Sequence, residues 1–187
     1  MGASFVSCPE RLTNKRNGVN WEQGGKMLKL PKWLLLELSR EPKLTKDTLC
    51  EVACRHSGQV FTGAHYHCLL IPDLPVVVKI PRARACCWNP SFGRANIQKD
   101  LQLFRKLRKR SKVHFPETKQ MKIKNQPVMV QERFEIDSVL YDAMNQRITR
   151  LAAKFNVWDI HDQNVGFRRE KGKRPQPVFF DVSVCDD

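Results

Sequence analysis

The order of β-rich runs and amphipathic helices is the feature that most limits how this chain can fold. Short runs rich in β-branched and aromatic residues are interrupted by two long helical patterns, which gives the order β, β, β, α, β, β, α, β, β. Two shorter helical patterns precede them, at residues 31–38 and 46–56, and Thr45 can cap the second. This order predicts an α+β fold.

The long helical patterns set the boundaries of the strand runs. The first covers residues 95–110, and the second begins after Asp137 and carries one continuous apolar seam: Leu140, Met144, Ile148, Leu151 and Phe155. The strand runs lie at residues 60–61, 66–71, 76–80, 120–123, 128–134, 164–168 and 178–184. The last two read as a hairpin with a basic turn.

Charge and cysteine content limit the class of protein. The 187 residues fit about one domain, and 33 Lys and Arg against 19 Asp and Glu give a net charge of +14, which favours anionic partners. The seven cysteines are odd in number and include no Cys-x-x-Cys pair, so we expect reduced thiols. No apolar run approaches the roughly 20 residues that a membrane helix needs. We therefore expect a cytoplasmic protein with no membrane partner.

The strongest chemical pattern involves Asp159, Asn164 and Asp181. Asp159 and Asn164 are five residues apart, between the seam helix and a strand, and Asp181 directly follows an apolar strand. Asn164 and Asp181 would lie at neighbouring positions across the mouth of the hairpin, where two oxygen ligands suit Mg²⁺. Asp159 can orient a hydroxyl and accept its proton. A helix cap, a turn residue and a strand-end acid would explain the same residues structurally.

A second pattern lies upstream, where Lys79 interrupts an apolar strand run. A lysine in such a strand either points to solvent by simple alternation or meets an anion. Before it, Gly58 and Gly63 stand five residues apart between strand-like residues, so their backbone N–H groups can approach a phosphate. Glycine pairs are also common turn formers, and the chain contains no Walker A sequence.

The stretch Asp159-Ile160-His161-Asp162-Gln163-Asn164 resembles the Asp-x-His-x-x-Asn catalytic loop of aminoglycoside phosphotransferases and related small-molecule kinases. It is also similar to the loop of short serine/threonine kinases that some lytic phages make early in infection. The phage resemblance covers roughly residues 45–185 and includes the strand that ends in aspartate. The order of the elements, from glycine hairpin and strand lysine to that aspartate, is the order of the protein-kinase-like fold.

This resemblance implies ATP and Mg²⁺ as cofactors. The catalytic residues would be Asp159, as the base, and Lys79, which would also bind the ATP phosphates. The metal would be held by Asn164 and Asp181. The other nucleotide contacts would come from two glycines over the phosphates and from a hinge whose backbone meets the adenine: Gly58, Gly63, Gln131, Glu132 and Arg133.

The resemblance also implies three parts: an N-terminal extension over residues 1–44, an antiparallel-sheet small lobe over 45–135 and a truncated large lobe over 136–187. The lobe is expected to be truncated because the chain ends six residues after Asp181. The favoured function is an ATP- and Mg²⁺-dependent serine/threonine protein kinase, encoded by a phage and modifying host proteins in the host cytoplasm. The alternatives are a small-molecule kinase and a catalytically weak pseudokinase that binds and inhibits a host protein. The pseudokinase stays open because helix 95–110 offers Asp100 but no glutamate to hold Lys79.

A run of basic residues needs a separate explanation. Ten residues between Lys99 and Lys124 are lysine or arginine, against Asp100 and Glu117. The run is either a solvated helix face with turns or a docking surface for an acidic partner protein. Nucleic acid is less favoured because the tryptophans are not interleaved with the run. In a truncated lobe the apolar seam would also need a cover, from residues 1–44, another chain or a dimer partner.

Overall fold

The fold, taken from a computed structural model that describes residues 28–82 and 96–184, is α+β as predicted. The described residues form four helices and nine strands in two compact units. Unit 1 comprises the described residues up to 97 together with residues 119–131, and unit 2 comprises residues 98–118 together with the described residues from 132 onward. Because neither unit is continuous in sequence, the chain passes from one to the other three times.

Unit 1 is built on a five-stranded sheet. Two helices come first, α1 (Lys32–Leu38) and α2 (Lys46–Arg55), and the strands are β1 (Gln59–Thr62), β2 (Tyr66–Leu70), β3 (Val76–Pro81), β4 (Thr118–Ile123) and β5 (Gln126–Glu132). The strand order is β1-β2-β3-β5-β4. Strand β2 pairs antiparallel with both β1 and β3, so that Cys68 stands opposite Phe61 on one side and Lys79 on the other.

The core of unit 1 lies between one face of this sheet and the two helices. Thr45 caps α2 as expected, because its hydroxyl accepts from the Thr48 N–H and the Thr48 hydroxyl accepts from the Thr45 N–H, both at 3.3 Å. Residues 28–44, expected to be an extension, instead supply five buried leucines to this core: Leu28, Leu30, Leu34, Leu38 and Leu44. This part of the expected extension therefore belongs to unit 1, and residues 1–27 lie outside the described residues.

Unit 2 combines two helices with two small antiparallel pairs of strands. Its elements are α3 (Ile97–Arg110), α4 (Ser138–Phe155), β6 (Val157–Trp158), β7 (Val165–Arg168), β8 (Gln176–Phe179) and β9 (Ser183–Val184). Strands β7 and β8 form the expected hairpin, and β6 pairs with β9. Helix α4 begins after Asp137, whose carboxylate accepts from the Leu140 N–H at 2.9 Å, and ends at Asn156, which adopts the left-handed conformation with φ 56°.

The apolar seam of α4 is covered by unit 2 itself. Ile148 and Phe155 are 0% and 3% exposed and share a core with Phe115 and Phe179. The expectation that the seam has little within its own lobe to pack on is therefore wrong. Leu107 of α3 belongs to the same core, so α3 lies in unit 2, although the small lobe was expected to extend from residue 45 to 135.

Gly166 lies where the segment after β5 crosses strand β7, and we expect a substitution there to destabilise unit 2. An ideal Cβ at Gly166 would lie 2.5 Å from the Phe134 Cβ and 3.1 Å from the Glu135 carbonyl oxygen. Since backbone must move to make room, Gly166→Ala should lower the free energy of unfolding by about 1–3 kcal/mol, measured by urea denaturation. Gly63→Ala is the matched control, because the nearest atom to its Cβ is 3.8 Å away. Equal losses in the two variants would contradict the packing argument.

His114 should make the protein less stable in mild acid. Its ring Nδ1 donates to the Pro177 carbonyl oxygen at 2.8 Å, and burial, joined by the charges of Arg147, Lys154 and Arg168, lowers its pKa below the ordinary value. The unfolded chain therefore takes up the proton first, and this contribution to stability is present above about pH 6.5 and is lost as the pH falls. The free energy of unfolding, measured by urea denaturation at pH 7.5 and at pH 5.5, should fall less between these two pH values for His114→Gln than for the parent protein. An unchanged pH dependence would contradict this.

Candidate functional site

The loop between β6 and β7, residues 159–164, is held by the buried side chain of Asn164. Asn164 is 8% exposed. Its Nδ2 donates to the Asp159 carbonyl oxygen at 2.9 Å and to the Asp159 carboxylate at 3.4 Å. The Asn164 N–H also donates to the His161 carbonyl oxygen at 3.0 Å. Because Nδ2 is committed to Asp159, the oxygen Oδ1 is the end of this amide that is left for another ligand.

Asp159 lies at the exposed start of this loop. Its side chain is 67% exposed, and its backbone is left-handed with φ 63°, a conformation that aspartate tolerates better than most residues. The Gln163 N–H donates to Nδ1 of His161 at 3.2 Å, which places the proton of the neutral ring on Nε2. That Nε2 lies 3.9 Å from the Asp159 carboxylate. The Asp159 carboxylate is thus open to solvent and positioned by its backbone.

The register of the β7–β8 hairpin places Asn164 opposite Phe180, the residue directly before Asp181. Val165 pairs with Phe179, so Asn164 stands opposite Phe180, whose N–H donates to the Asn164 carbonyl oxygen at 3.2 Å. Asp181 is the next residue and is exposed. Asp159, Asn164 and Asp181, singled out from the sequence, therefore lie at the mouth of one hairpin in unit 2.

Tyr141 of α4 supports the loop, although the sequence pattern did not point to it. Its hydroxyl donates to the Ile160 carbonyl oxygen at 3.3 Å. Burial, together with the carboxylates of Asp162 and Asp142, raises the pKa of Tyr141 above its ordinary value, so the hydroxyl keeps its proton and remains a donor at neutral pH. The available sequence signal was weak: a tyrosine next to Leu140 at the edge of the apolar seam.

A partly buried ion pair fixes the other end of β7. The Arg168 side chain is 11% exposed, and its Nη2 lies 3.1 Å from both carboxylate oxygens of Glu132. Its Nη1 donates to the Lys112 carbonyl oxygen at 2.9 Å, and its guanidinium lies 5.2 Å from the centre of the Phe134 ring. The Glu132 carboxylate also accepts from the Glu117 N–H at 3.1 Å. Arg168 and Glu132 thus join three separate segments of unit 2.

In unit 1, Lys79 lies on the face of the sheet opposite the helices. Its neighbours Val78 and Ile80 belong to the core, so strand alternation turns Lys79 to the other face. Lys79 is 6% exposed, and no described residue of unit 1 gives its ammonium a hydrogen bond or an ion pair. A lysine that lies on this face and has no described partner in its own unit is a candidate for binding an anion.

Gln131 shares the Lys79 face of the sheet. On β5, next to β3 in the sheet, Val128 and Val130 belong to the core, and alternation turns Gln131 away from that core. Gln131 is 1% exposed. The other two residues of the expected hinge lie in unit 2, since the division between the units falls after Gln131. There Glu132 is engaged by Arg168, and Arg133 is half-buried.

The two glycines have structural roles within unit 1. The Gly58 N–H donates to the Ala53 carbonyl oxygen at 2.8 Å, and an ideal Cβ at Gly58 would lie 2.5 Å from the Leu70 carbonyl oxygen. The Gly63 N–H donates to the Tyr66 carbonyl oxygen at 2.9 Å, and Arg82 donates to the Gly63 carbonyl oxygen at the same distance. Both N–H groups are used inside the chain, which argues against the expectation that they bind a phosphate.

The donor atoms at the hairpin mouth suit magnesium. Among the described residues, no group of three or more His, Cys, Asp or Glu could hold a metal ion. Magnesium does not need such a group, because it is commonly held by one or two protein oxygens together with substrate phosphates and water. Asn164 and Asp181 supply an amide oxygen and a carboxylate. The residues present therefore fit magnesium bound together with a nucleotide.

Comparison with known proteins found no match: no protein-family model and no curated protein matches this sequence. In residues 28–82 and 96–184, no helix has the length and apolar character required to cross a membrane.

We expect the Arg168–Glu132 pair to contribute substantially to stability. Glu132→Gln keeps the shape of the side chain but leaves the Arg168 charge partly buried without its counter-ion, which should cost about 1–3 kcal/mol of the free energy of unfolding in urea denaturation. Glu170→Gln is the matched control, because Glu170 and Lys173 are 43% and 71% exposed and form a surface pair. The control should leave the unfolding transition unchanged. If both variants unfolded like the parent protein, the pair would not stabilise unit 2.

Proposed function

We propose that this protein is an ATP- and Mg²⁺-dependent phosphotransferase with a minimal kinase-like fold, acting on hydroxyl groups of proteins. The observation that carries the proposal is the Asn164 amide, which donates to Asp159 and leaves its oxygen at the mouth of the hairpin that leads to Asp181. Three side chains suited to phosphoryl transfer are thereby gathered in one part of unit 2.

The arrangement of unit 2 supports specific roles for these residues. Asp159 is exposed and presents a carboxylate that can orient a hydroxyl and accept its proton. Asn164 and Asp181 would hold magnesium, which neutralises charge on the phosphates during transfer. Tyr141 and His161 position the loop through its backbone. Phosphoryl transfer needs mainly positioned charge, and this loop supplies it.

Unit 1 supports the proposal through Lys79. Its position on β3, 6% exposed and without a described partner in its own unit, fits a lysine whose counter-charge is a ligand. We assign it to the ATP phosphates. Gln131 lies on the same face of the sheet, and we keep its proposed role, in which its backbone contacts the adenine of ATP. Gly58 and Gly63 are left out because their N–H groups are already bonded.

The order of the elements also favours a kinase-like fold. A five-stranded sheet with a lysine on its third strand is followed by a long helix, a short strand, the Asp159–Asn164 loop and a hairpin. The resemblance to the protein-kinase-like fold rests on the order that runs from the strand lysine through a helix, two strands and a second helix to the Asp159–Asn164 loop, and these elements follow one another in that order. Strand β6, which was not expected from the sequence, pairs with β9, which lies at the end of the run expected at residues 178–184. The Asp159–Asn164 loop starts directly after β6, and Asp181 stands two residues before β9.

Replacing Asp159 should abolish turnover while nucleotide binding persists. We expect Asp159→Asn to lower phosphate transfer from radiolabelled ATP to a mixed set of protein substrates by about 100-fold or more. MgATP at about 100 times its dissociation constant should still raise the melting temperature of this variant by about 5–10 °C. Lys79→Met should lose that increase, and Lys122→Met, at an exposed lysine of β4, is the matched control that should keep it.

Each other outcome has a defined meaning. A MgATP-dependent rise in melting temperature without transfer by the parent protein would favour a pseudokinase. Transfer to an aminoglycoside in preference to proteins would favour a small-molecule kinase. No response of the parent protein to MgATP would reject the proposal, as would full transfer activity in Asp159→Asn.

A further inference from the structure

The outer surface of α3 and the turn that follows it carry four basic side chains that form no ion pair with a described residue. Arg105, Lys106, Lys109 and Lys112 are all exposed, and none forms an ion pair with a described residue. We call these four residues the α3 basic face. The opposite side of the helix is buried, with Leu101 and Leu107 each 1% exposed, so the face is directed away from the interior.

The structure separates this face from the rest of the basic run. Arg108 turns inward and lies 3.8 Å from the Glu117 carboxylate. Arg110 donates to the carbonyl oxygens of Lys154 and Phe155, at 2.7 and 3.0 Å, where α4 ends. Lys99 lies near the start of α3, and the lysines at residues 119, 122 and 124 lie in unit 1. The basic run therefore contains arginines engaged within unit 2, lysines that belong to unit 1, and the α3 basic face, whose four charges form no ion pair with a described residue.

The α3 basic face is unfavourable for the helix itself. Arg105 and Lys109 are four residues apart, and Lys106 and Lys109 are three apart, so like charges are neighbours on the helix surface. The positions that would pair them with an acid hold leucine, glutamine or further basic residues. Two acids of unit 2, Glu117 and Glu132, are engaged by Arg108 and Arg168. An external anionic partner would relieve this repulsion.

We infer that the α3 basic face binds a short acidic segment of a partner protein. Arg105 and Lys109 are separated by one helical turn, about 6 Å along the axis. Acidic side chains at alternate residues of an extended peptide repeat at about 6.6 Å, so the two charge patterns match. Val113, 42% exposed, follows Lys112 in the turn after α3 and offers an apolar contact for such a segment.

Nucleic acid fits this face less well. Duplex binding commonly uses about 6–10 phosphate contacts, more than four side chains on one helix face can provide. Single strands are usually bound by stacking their bases on aromatic rings, and none of these four residues or Val113 is aromatic. The inference does not depend on nucleotide binding, and under the proposed function the face would recruit protein substrates that carry an acidic segment.

Peptide binding to charge-reversed variants tests the inference. The probe is a fluorescein-labelled 12-residue peptide that alternates glutamate and serine, titrated with the full chain and followed by fluorescence anisotropy. The variant Arg105→Glu, Lys106→Glu, Lys109→Glu should bind about tenfold more weakly or worse. The matched control reverses three exposed lysines elsewhere: Lys122→Glu, Lys124→Glu, Lys171→Glu. It lowers the net charge equally and should bind within about twofold of the parent protein.

Several results would overturn the inference. Equal weakening in both triple variants would mean that net charge alone attracts the peptide. Tighter binding of a duplex oligonucleotide than of the peptide, lost on reversal of the α3 basic face, would assign the face to nucleic acid instead. No binding of the peptide by the parent protein would also reject it. Far-ultraviolet circular dichroism and melting temperature check folding, and both should be unchanged because all six side chains are exposed.

Discussion

The buried amide of Asn164 is the interaction on which the described chemistry of unit 2 depends. One side chain ties the start of the β6–β7 loop to its end, and its backbone carbonyl joins the loop to β8. Because the nitrogen of the amide donates within the loop, the orientation of the amide is fixed and its oxygen is the end that remains for another ligand. The exposed Asp159 thereby has a defined place although almost nothing covers its carboxylate.

A second layer of support comes from charges that are only partly exposed. Arg168 joins the end of β5, the segment after α3 and the hairpin through one guanidinium. Breaking a pair of this kind is costly because the remaining charge stays partly buried without its counter-ion, and the pair holds these segments in one arrangement. The surface pair of Glu170 and Lys173, by contrast, closes only its own turn.

Much of this arrangement could be predicted from local patterns. The stripe of α4, the cap at Thr45 and the hairpin around residues 165–179 follow from spacing that short-range physics makes informative. Strand β6 could not be predicted, because two residues carry no periodicity, and the run expected at residues 178–184 is interrupted between β8 and β9. The packing of α3 in unit 2 also depends on distant residues. The candidate site shows the same difference. The proximity of Asn164 and Asp181 could be predicted from the register of the hairpin, whereas the Glu132–Arg168 pair could not, because it joins positions far apart in sequence.

The discontinuity of unit 1 has a consequence for its biogenesis. Strand β5 lies between β3 and β4 in the sheet, yet it is synthesised after α3, which belongs to unit 2. Until residue 131 has left the ribosome, β3 has one unpaired edge, which is the kind of edge that associates with other chains. At this stage of synthesis β3 is an edge strand, and the charge of Lys79 on that strand opposes its association with other chains.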